Sequence, residues 1–293
     1  MKELYILDGS WYVFRAYYGM PELTNADGQP VHAVYGFFKM LFSLWKEGPE
    51  HLCIARDSPW PTLRKQAVDT YKANRVQQPD DFKRQMRAIK MLVNELGIPH
   101  AEYPWYEADD IIATLVHHKR DSDHYTIVSS DKDLKQLVSD YVVHYDAMKE
   151  KRTWPQDFVA EYGFAPTYMW DFLALVGDAS DNIPGVHGIG PKTAQWLIAQ
   201  YHTLDAIYKH LDEIPGKTQE KLRDGKDAAY QSKQLIDLYI LPDFVPDCAD
   251  FVWHPDIETL QRVLIGEWKF SSLAPLLSEM HQQQRVGVQW SLF

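Results

Sequence analysis

Three short apolar runs in this chain end on an aspartate: LYILD at Asp8, HLCIARD at Asp57 and TIVSSD at Asp131. Each is mostly aliphatic or β-branched and is followed by loop-type residues, the pattern of strands buried in a parallel sheet. Elsewhere apolar residues recur at helical spacing. Phe37, Phe38, Leu41, Phe42 and Trp45 predict a helix over 34–45. Met86, Ile89, Leu92, Val93 and Leu96 predict another over 82–96, and Ile111, Ile112, Leu115 and Val116 a third over 108–118. This alternation through residues 1–150 argues an α/β fold with a mostly parallel central sheet and flanking helices. From about Trp154 the pattern changes to helices joined by Gly/Pro turns, over 154–162, 166–176, 191–201 and 204–210, ending near Leu277. Three segments are expected: an α/β domain over 1–165, a helical region over 166–280 and a flexible tail over 281–293.

In a parallel sheet, ligands bind outside the carboxyl ends of the strands. The three run-ending aspartates should therefore reach one crevice. Further acids stand nearby in sequence: Glu107, Asp109 and Asp110 at the start of a helix, Asp133 after the third run, and Asp178 and Asp181 in GDASDN. A helix dipole favours one carboxylate at its start, but three in four residues are harder to explain that way. Nine carboxylates together would repel strongly unless divalent cations sat among them. All-oxygen ligands of this kind suit Mg²⁺ or Mn²⁺ and point to a two-metal phosphoester hydrolase.

Charge and composition sharpen this picture. The chain has 293 residues, 45% of them hydrophobic, and a net charge of −11, which at first argues against a nucleic-acid partner. Setting the nine acids aside leaves −2, and residues 62–90 carry eight Lys/Arg against three Asp. That basic stretch would suit a phosphate backbone, although a solvated helix face would explain it equally well from charge alone. Within it, Lys72 and Arg75 stand three apart, neighbours on one face if the segment is helical; there they could hold a scissile phosphate, although spacing alone favours an ordinary helix surface. The two cysteines, Cys53 and Cys248, make no disulfide or zinc pattern. No run is long enough to span a membrane, and the first strand begins almost at Met1, so a cytoplasmic protein is expected.

The stretch IPGVHGIGPKTA places a Gly-Ile-Gly turn before a helix that opens with Pro191. Exposed N–H groups at a helix start bind anions, so this helix–hairpin–helix pattern is expected to grip a phosphate backbone without reading bases. Gly190 is expected where backbone approaches phosphate in a turn that needs glycine.

LDGSWYVFRAY, VYGFFKML, YKANRVQQPDDFKRQ, YEADDIIATL, IVSSDKDLKQL, FLALVGDASDNIPGVHGIGPKTA and EWKFSSL stand in that order over residues 1 to about 280. Together they resemble the 5′-nuclease domain of bacterial DNA polymerase I and the stand-alone flap endonucleases. The resemblance implies a PIN-like 5′-nuclease fold and a structure-specific 5′-3′ exonuclease or 5′-flap endonuclease acting in DNA replication or repair. It assigns Asp8, Asp57, Glu107, Asp109 and Asp110 to a first Mg²⁺, and Asp131, Asp133, Asp178 and Asp181 to a second. It assigns catalytic charge to Lys72 and Arg75, and DNA contacts to Arg15, Arg64, Tyr71, Lys72, Arg75, Gly185, Val186, Gly188, Gly190, Lys192 and Thr193. It further implies a potassium ion at the hairpin, branched, nicked or 5′-overhanging DNA as partner, and a monomer. Arg56 departs from the usual apolar residue before the second aspartate and is expected to pair with an acid or face solvent. A silent branched-DNA binder would have lost the acids, and a nuclease acting mainly on RNA primers would lack the hairpin. Finally, Gln289, Trp290, Ser291, Leu292 and Phe293 resemble a bacterial sliding-clamp-binding peptide; the alternative is that these side chains fold back onto the protein.

Overall fold

The computed structural model describes residues 2–119 and 123–290, with backbone only from 285 to 290. A six-stranded sheet forms its centre: β1 (Glu3–Asp8), β2 (His51–Arg56), β3 (His100–Glu102), β4 (His124–Val128), β5 (Val142–Asp146) and β6 (Lys151–Thr153). The order is β3-β2-β1-β4-β5-β6, parallel throughout except for the antiparallel β5–β6 pair. Sequence order reverses direction at β1, between β2 and β4. In open α/β sheets that switch point is where a crevice opens beyond the carboxyl strand ends. The three apolar runs of the sequence are β1, β2 and β4, and the crevice lies at their ends.

Strand side chains alternate between two cores. Tyr5, Leu7, Leu52, Ile54 and Val128 face one side, where they meet α1 (Gly9–Gly19), α2 (His32–Leu44) and α4 (Asp80–Glu95). Leu4, Ile6, Cys53, Tyr125 and Ile127 face the other, against α5 (Ala108–His117). A sheet covered on both faces explains why these strands read as continuous apolar runs. Short α3 (Leu63–Ala67) follows β2, and α6 (Pro155–Tyr162) follows β6.

A separate core holds α7 (Met169–Val176), α8 (Pro191–Tyr201), α9 (Leu204–Lys209), α10 (Gly216–Asp224) and α11 (Lys226–Ile236). The chain beyond them does not stay with this helical unit. Trp253 and residues of α12 (Ile257–Leu260) and α13 (Ala274–Trp290), among them Leu277 and Met280, return to the first core beside α2. The sequence from His281, expected as a flexible tail, continues α13 as far as Trp290. Ser291, Leu292 and Phe293 lie outside the described residues.

The hairpin between α7 and α8 depends on two glycines in direct backbone contact. Gly177 and Gly185 both have positive φ, and a Cβ on Gly185 would lie 2.5 Å from the Gly177 nitrogen. Gly190 is different: its φ is −92° and a Cβ there meets nothing within 4 Å. The expectation that its turn requires glycine is therefore corrected. Gly185→Ala should lower stability by at least about 2 kcal/mol through steric overlap and left-handed strain, whereas Gly190→Ala should leave the melting temperature unchanged. Thermal unfolding of the two variants checks this contrast.

Candidate active site at the carboxyl edge of the sheet

Asp8 ends β1 and also caps α1, accepting the Trp11 amide at 2.9 Å on one oxygen and the Ser129 hydroxyl at 2.9 Å on the other. Ser129 in turn accepts the Asp131 amide at 3.0 Å, tying the ends of β1 and β4 together. Asp57, just past β2, accepts the Ser10 hydroxyl and, at 2.8 Å, the Ala108 amide that opens α5. Asp131 accepts the Asp133 amide at 2.9 Å. The crevice foreseen from three strand ends is thus assembled by local capping and turn bonds.

The acids divide into two sets by what stands next to them. Glu107 receives Lys72 Nζ at 3.0 Å, the Tyr71 hydroxyl at 2.9 Å and Thr62 Oγ1 at 3.1 Å, with Arg64 Nη1 at 3.4 Å. Burial raises its pKa, but Lys72 and Arg64 outweigh burial and hold it below the ordinary value. Asp181 pairs with Arg75 and lies 3.7 Å from Lys72. Asp178 takes Lys132 at 3.2 Å and both the amide and hydroxyl of Ser180, and ends below its usual pKa despite burial.

The second set has no such cation in contact. Burial, together with the charges of Asp131 and Asp57, raises Asp8 to about 7. Burial and Asp131 raise Asp133 to about 8, and its Oδ1 is buried without a hydrogen-bond partner. Asp109 is pushed well up by burial and by Asp131 and Asp8; Asp131 is raised by burial and by Asp181 and Asp178. These four acids form the electrostatically unsatisfied part of the crevice, the property that marks functional carboxylates. Among the described residues, no three carboxylate, imidazole or thiolate side chains converge closely enough to hold one metal ion directly. The donor set nonetheless fits hard divalent ions bound partly through their water shells.

Several expected roles change with the geometry. Asp110 is removed from the crevice: Arg64 grips it through two bonds of 2.7 and 2.9 Å, and the amides of Glu107 and Tyr239 take its remaining valence. Arg64, expected to touch DNA, is 2% exposed. Its other bonds reach the carbonyls of Leu235 and Asp237 behind the site. Tyr71 is likewise buried against Glu107. Lys72 and Arg75 lie on a turn, not a helix; Lys72 has φ +54°, and its amide donates to the Asp181 carbonyl at 2.9 Å. They are brought together by a shared acid instead of a helical face. Arg15 is exposed on α1. Arg56 pairs with Glu102 at 3.4 Å across the β2–β3 register and leaves Asp57 free. In the hairpin, Gly185 and Val186 are buried and spend their amides on Ser232 and Leu175, while Gly188, Gly190 and Lys192 are exposed and Thr193 is half-buried. Ser10, Ser129 and Lys132 were not anticipated. Ser129 and Lys132 stand beside the acids they serve, but a serine at a strand end or a lysine between aspartates has no distinctive spacing.

Two family profiles match the chain in succession: 5′-3′ exonuclease, N-terminal resolvase-like domain, over residues 3–163, and 5′-3′ exonuclease, C-terminal SAM fold, over 164–255. The 5′-3′ exonuclease of Aquifex aeolicus is 36% identical over 296 residues, covering 100% of both chains. The chain belongs to the 5′-3′ exonuclease family. The thermostable DNA polymerase I of Thermus thermophilus is 38% identical over 92% of this chain, which spans 32% of that polymerase. In fold, this family member resembles the T5 D15 protein co-crystallized with metal ions (TM-score 0.68, 20% identity, 95% of this chain and 99% of that one). It also resembles the catalytic core of Rad2 in complex with DNA substrate (TM-score 0.64, 19% identity, 95% and 92%). As a 5′-3′ exonuclease by family, the chain is a catalytic nuclease of DNA metabolism. Among the described residues no helix is long and apolar enough to cross a membrane.

The unsatisfied acids give a pH signature. In the metal-free protein Asp133 binds a proton up to about pH 8, whereas an unfolded aspartate releases it near pH 4. Its contribution therefore destabilises the fold progressively as pH rises through that window. Asp133→Asn should be more stable than wild type in EDTA, with the difference growing from pH 5 to pH 8 and reaching at least about 1 kcal/mol. Melting curves of both proteins across that range, in EDTA, provide the measurement.

Proposed function

We propose that this nuclease cleaves phosphodiester bonds where a single-stranded 5′ end meets duplex in branched, nicked or 5′-overhanging DNA, using two Mg²⁺ ions for which Mn²⁺ can substitute. The observation that carries this is the split of the acidic crevice: four acids whose pKa burial and neighbouring carboxylates raise lie next to others already paired with Lys72, Arg75 and Lys132. Asp8, Asp109, Asp131 and Asp133 would hold the ions, with Asp57, Glu107, Asp178 and Asp181 reaching them through water. Such ions would supply a water of lowered pKa and stabilise charge on the leaving oxygen.

The chain's own groups do the rest. Glu107 and Asp181 outweigh burial and keep Lys72 protonated well above neutral pH. Lys72 and Arg75 thus present fixed positive charge at the lip of the crevice, where it can offset charge developing on the scissile phosphate. The exposed amides that open α8, near Gly190, Lys192 and Thr193, lack intrahelical acceptors and suit a duplex phosphate. At the hairpin, Lys221 Nζ meets the Gly188 carbonyl at 2.9 Å, so a potassium ion there would have to displace it or use neighbouring carbonyls. Arg64, Tyr71 and Asp110 act as supports that orient Glu107 and the turn carrying Lys72.

Asp131→Ala should lose most cleavage of a 5′-flap substrate while keeping duplex affinity. Lys72→Ala and Arg75→Ala should each lower the single-turnover rate by about 10²–10³-fold, more than they weaken binding. Near wild-type cleavage by Asp131→Ala would refute the metal assignment. A loss of affinity alone in the other two variants, following their salt sensitivity, would make them DNA-positioning residues.

Residues 289–293 are read as a sliding-clamp peptide, with Trp290, Leu292 and Phe293 as apolar anchors for a groove. A peptide of residues 283–293 should bind a bacterial clamp with micromolar affinity, roughly −8 kcal/mol. Deleting 289–293 should abolish clamp-stimulated cleavage and spare clamp-free cleavage. Reduced thermal stability of the deletion, with no clamp binding by the intact protein, would assign these residues to the protein's own fold.

A further inference from the structure

Two tryptophans in the loops that follow Asp57 and precede Glu107 have much of their surface in water: Trp60 is 61% exposed and Trp105 is 53% exposed. They belong to different loops, one after β2 and one after β3, yet a single side chain holds both. The Ser58 hydroxyl accepts the Trp60 amide at 3.0 Å and the Trp105 amide at 2.9 Å. Two further bonds lock the loops together: the Ser58 amide to the Tyr106 carbonyl at 3.0 Å, and the Leu63 amide to the Trp105 carbonyl at 2.9 Å. The backbone at both tryptophans is therefore fixed on one cross-linked base. Ser58 follows Asp57, whose carboxylate accepts the Ala108 amide, and Trp105 precedes Glu107 by two residues, so the base that holds the pair is continuous with the chain that carries two of the crevice acids.

Trp105 also has φ +69°, a conformation that a bulky residue adopts only under strain. A large apolar ring in a position suited to glycine, pointing largely into solvent, gains little for the fold. Neither burial nor backbone preference explains it.

We infer that Trp60 and Trp105 form a stacking platform for the bases of the single-stranded 5′ segment of the substrate, next to the point of cleavage. This rests on the proposed DNA substrate and adds a contact to it. Every base has a π-face, so aromatic rings bind single strands with little sequence preference. The basic turn carrying Lys72 and Arg75 lies on the same chain segment, directly after α3, and supplies the charge that tracks a backbone. Duplex bases are already stacked and offer no free faces, so the platform favours unpaired over paired nucleotides at this edge.

The test compares wild type, Trp60→Ala, Trp105→Gly and the double variant. Binding is measured by fluorescence anisotropy with Ca²⁺ replacing Mg²⁺, while cleavage is monitored in the same samples. The DNAs are a blunt duplex and duplexes with a 5′ tail made of either ordinary or abasic nucleotides. Wild type should prefer the ordinary tail over the abasic one. Each single variant should lose between about 5- and 150-fold in affinity for the ordinary tail. In the double variant the preference for ordinary over abasic nucleotides should vanish, with blunt-duplex binding unchanged. Trp105→Gly should keep or raise the melting temperature, because glycine adopts this φ without strain, which separates loss of the ring from loss of the fold. Equal wild-type affinity for both tails, or losses that are the same on ordinary, abasic and blunt DNA, would overturn the platform while leaving the nuclease reading intact. A wild-type protein that binds none of these DNAs would overturn both.

Discussion

The buried guanidinium of Arg64 joins everything that the active crevice depends on. Its bonds reach Asp110 and Glu107 at the start of α5 and the carbonyls of Leu235 and Asp237 at the end of α11. One side chain thus connects the sheet domain to the helical unit and fixes the helix start that presents Glu107 and Asp109. Removing one partner of so buried a pair leaves the other uncompensated, at a typical cost of about 3–5 kcal/mol. With Asp110 neutralising Arg64 and the backbone carbonyls completing its valence, Glu107 can turn toward Tyr71 and Lys72. The turn carrying Lys72 and Arg75 is then tied to the second unit through the Asp181 carbonyl and the Asn182 side chain, which donates to the Thr70 carbonyl at 2.7 Å.

This anchoring allows the crevice to keep charges that the fold would otherwise disfavour. Asp8, Asp109, Asp131 and Asp133 all have raised pKa values, with burial as the largest cause. Such an arrangement is unstable in isolation and persists because strands buried on both faces hold it. Under the proposed metal assignment, stability is thereby exchanged for affinity toward divalent cations. The cations of the protein itself stand at the rim, on Glu107, Asp178 and Asp181, and leave the centre to exchangeable ions.

The sheet was legible because strands covered on both faces must be apolar throughout and must end where the polar crevice begins. The long helices were legible through their apolar stripes: α2 and α4 fall within two residues of the expected bounds at each end. Three-residue β3 and β6 carry too few positions to show a period. The return of α12 and α13 to the first core was not legible, since a helix's apolar stripe does not say which of two cores it will cover. Within the site, the sequence shows where acids stand but not how they divide. Asp109 and Asp110 are adjacent and chemically identical, yet successive helical positions point about 100° apart, so one faces the crevice and the other Arg64. Lys72 and Arg75 share Asp181 from a turn and not a helical face, and a turn with positive φ has no periodic signature.

The protein's net charge of −11 and its nucleic-acid substrate are reconciled by where the charge sits. Lys72 and Arg75 pair with Glu107 and Asp181, so positive charge stands directly against the acids on this surface. The acids repel a phosphodiester unless cations stand between. With divalent ions bound as proposed, substrate entry and metal occupancy would be linked by electrostatics: ions that lower the negative potential of the crevice also make it habitable for a phosphate. Because linkage is reciprocal, bound DNA must in turn raise the affinity for those ions. Under the proposed metal assignment, the same acids that destabilise the metal-free fold would keep a phosphodiester out of the crevice until divalent ions are present.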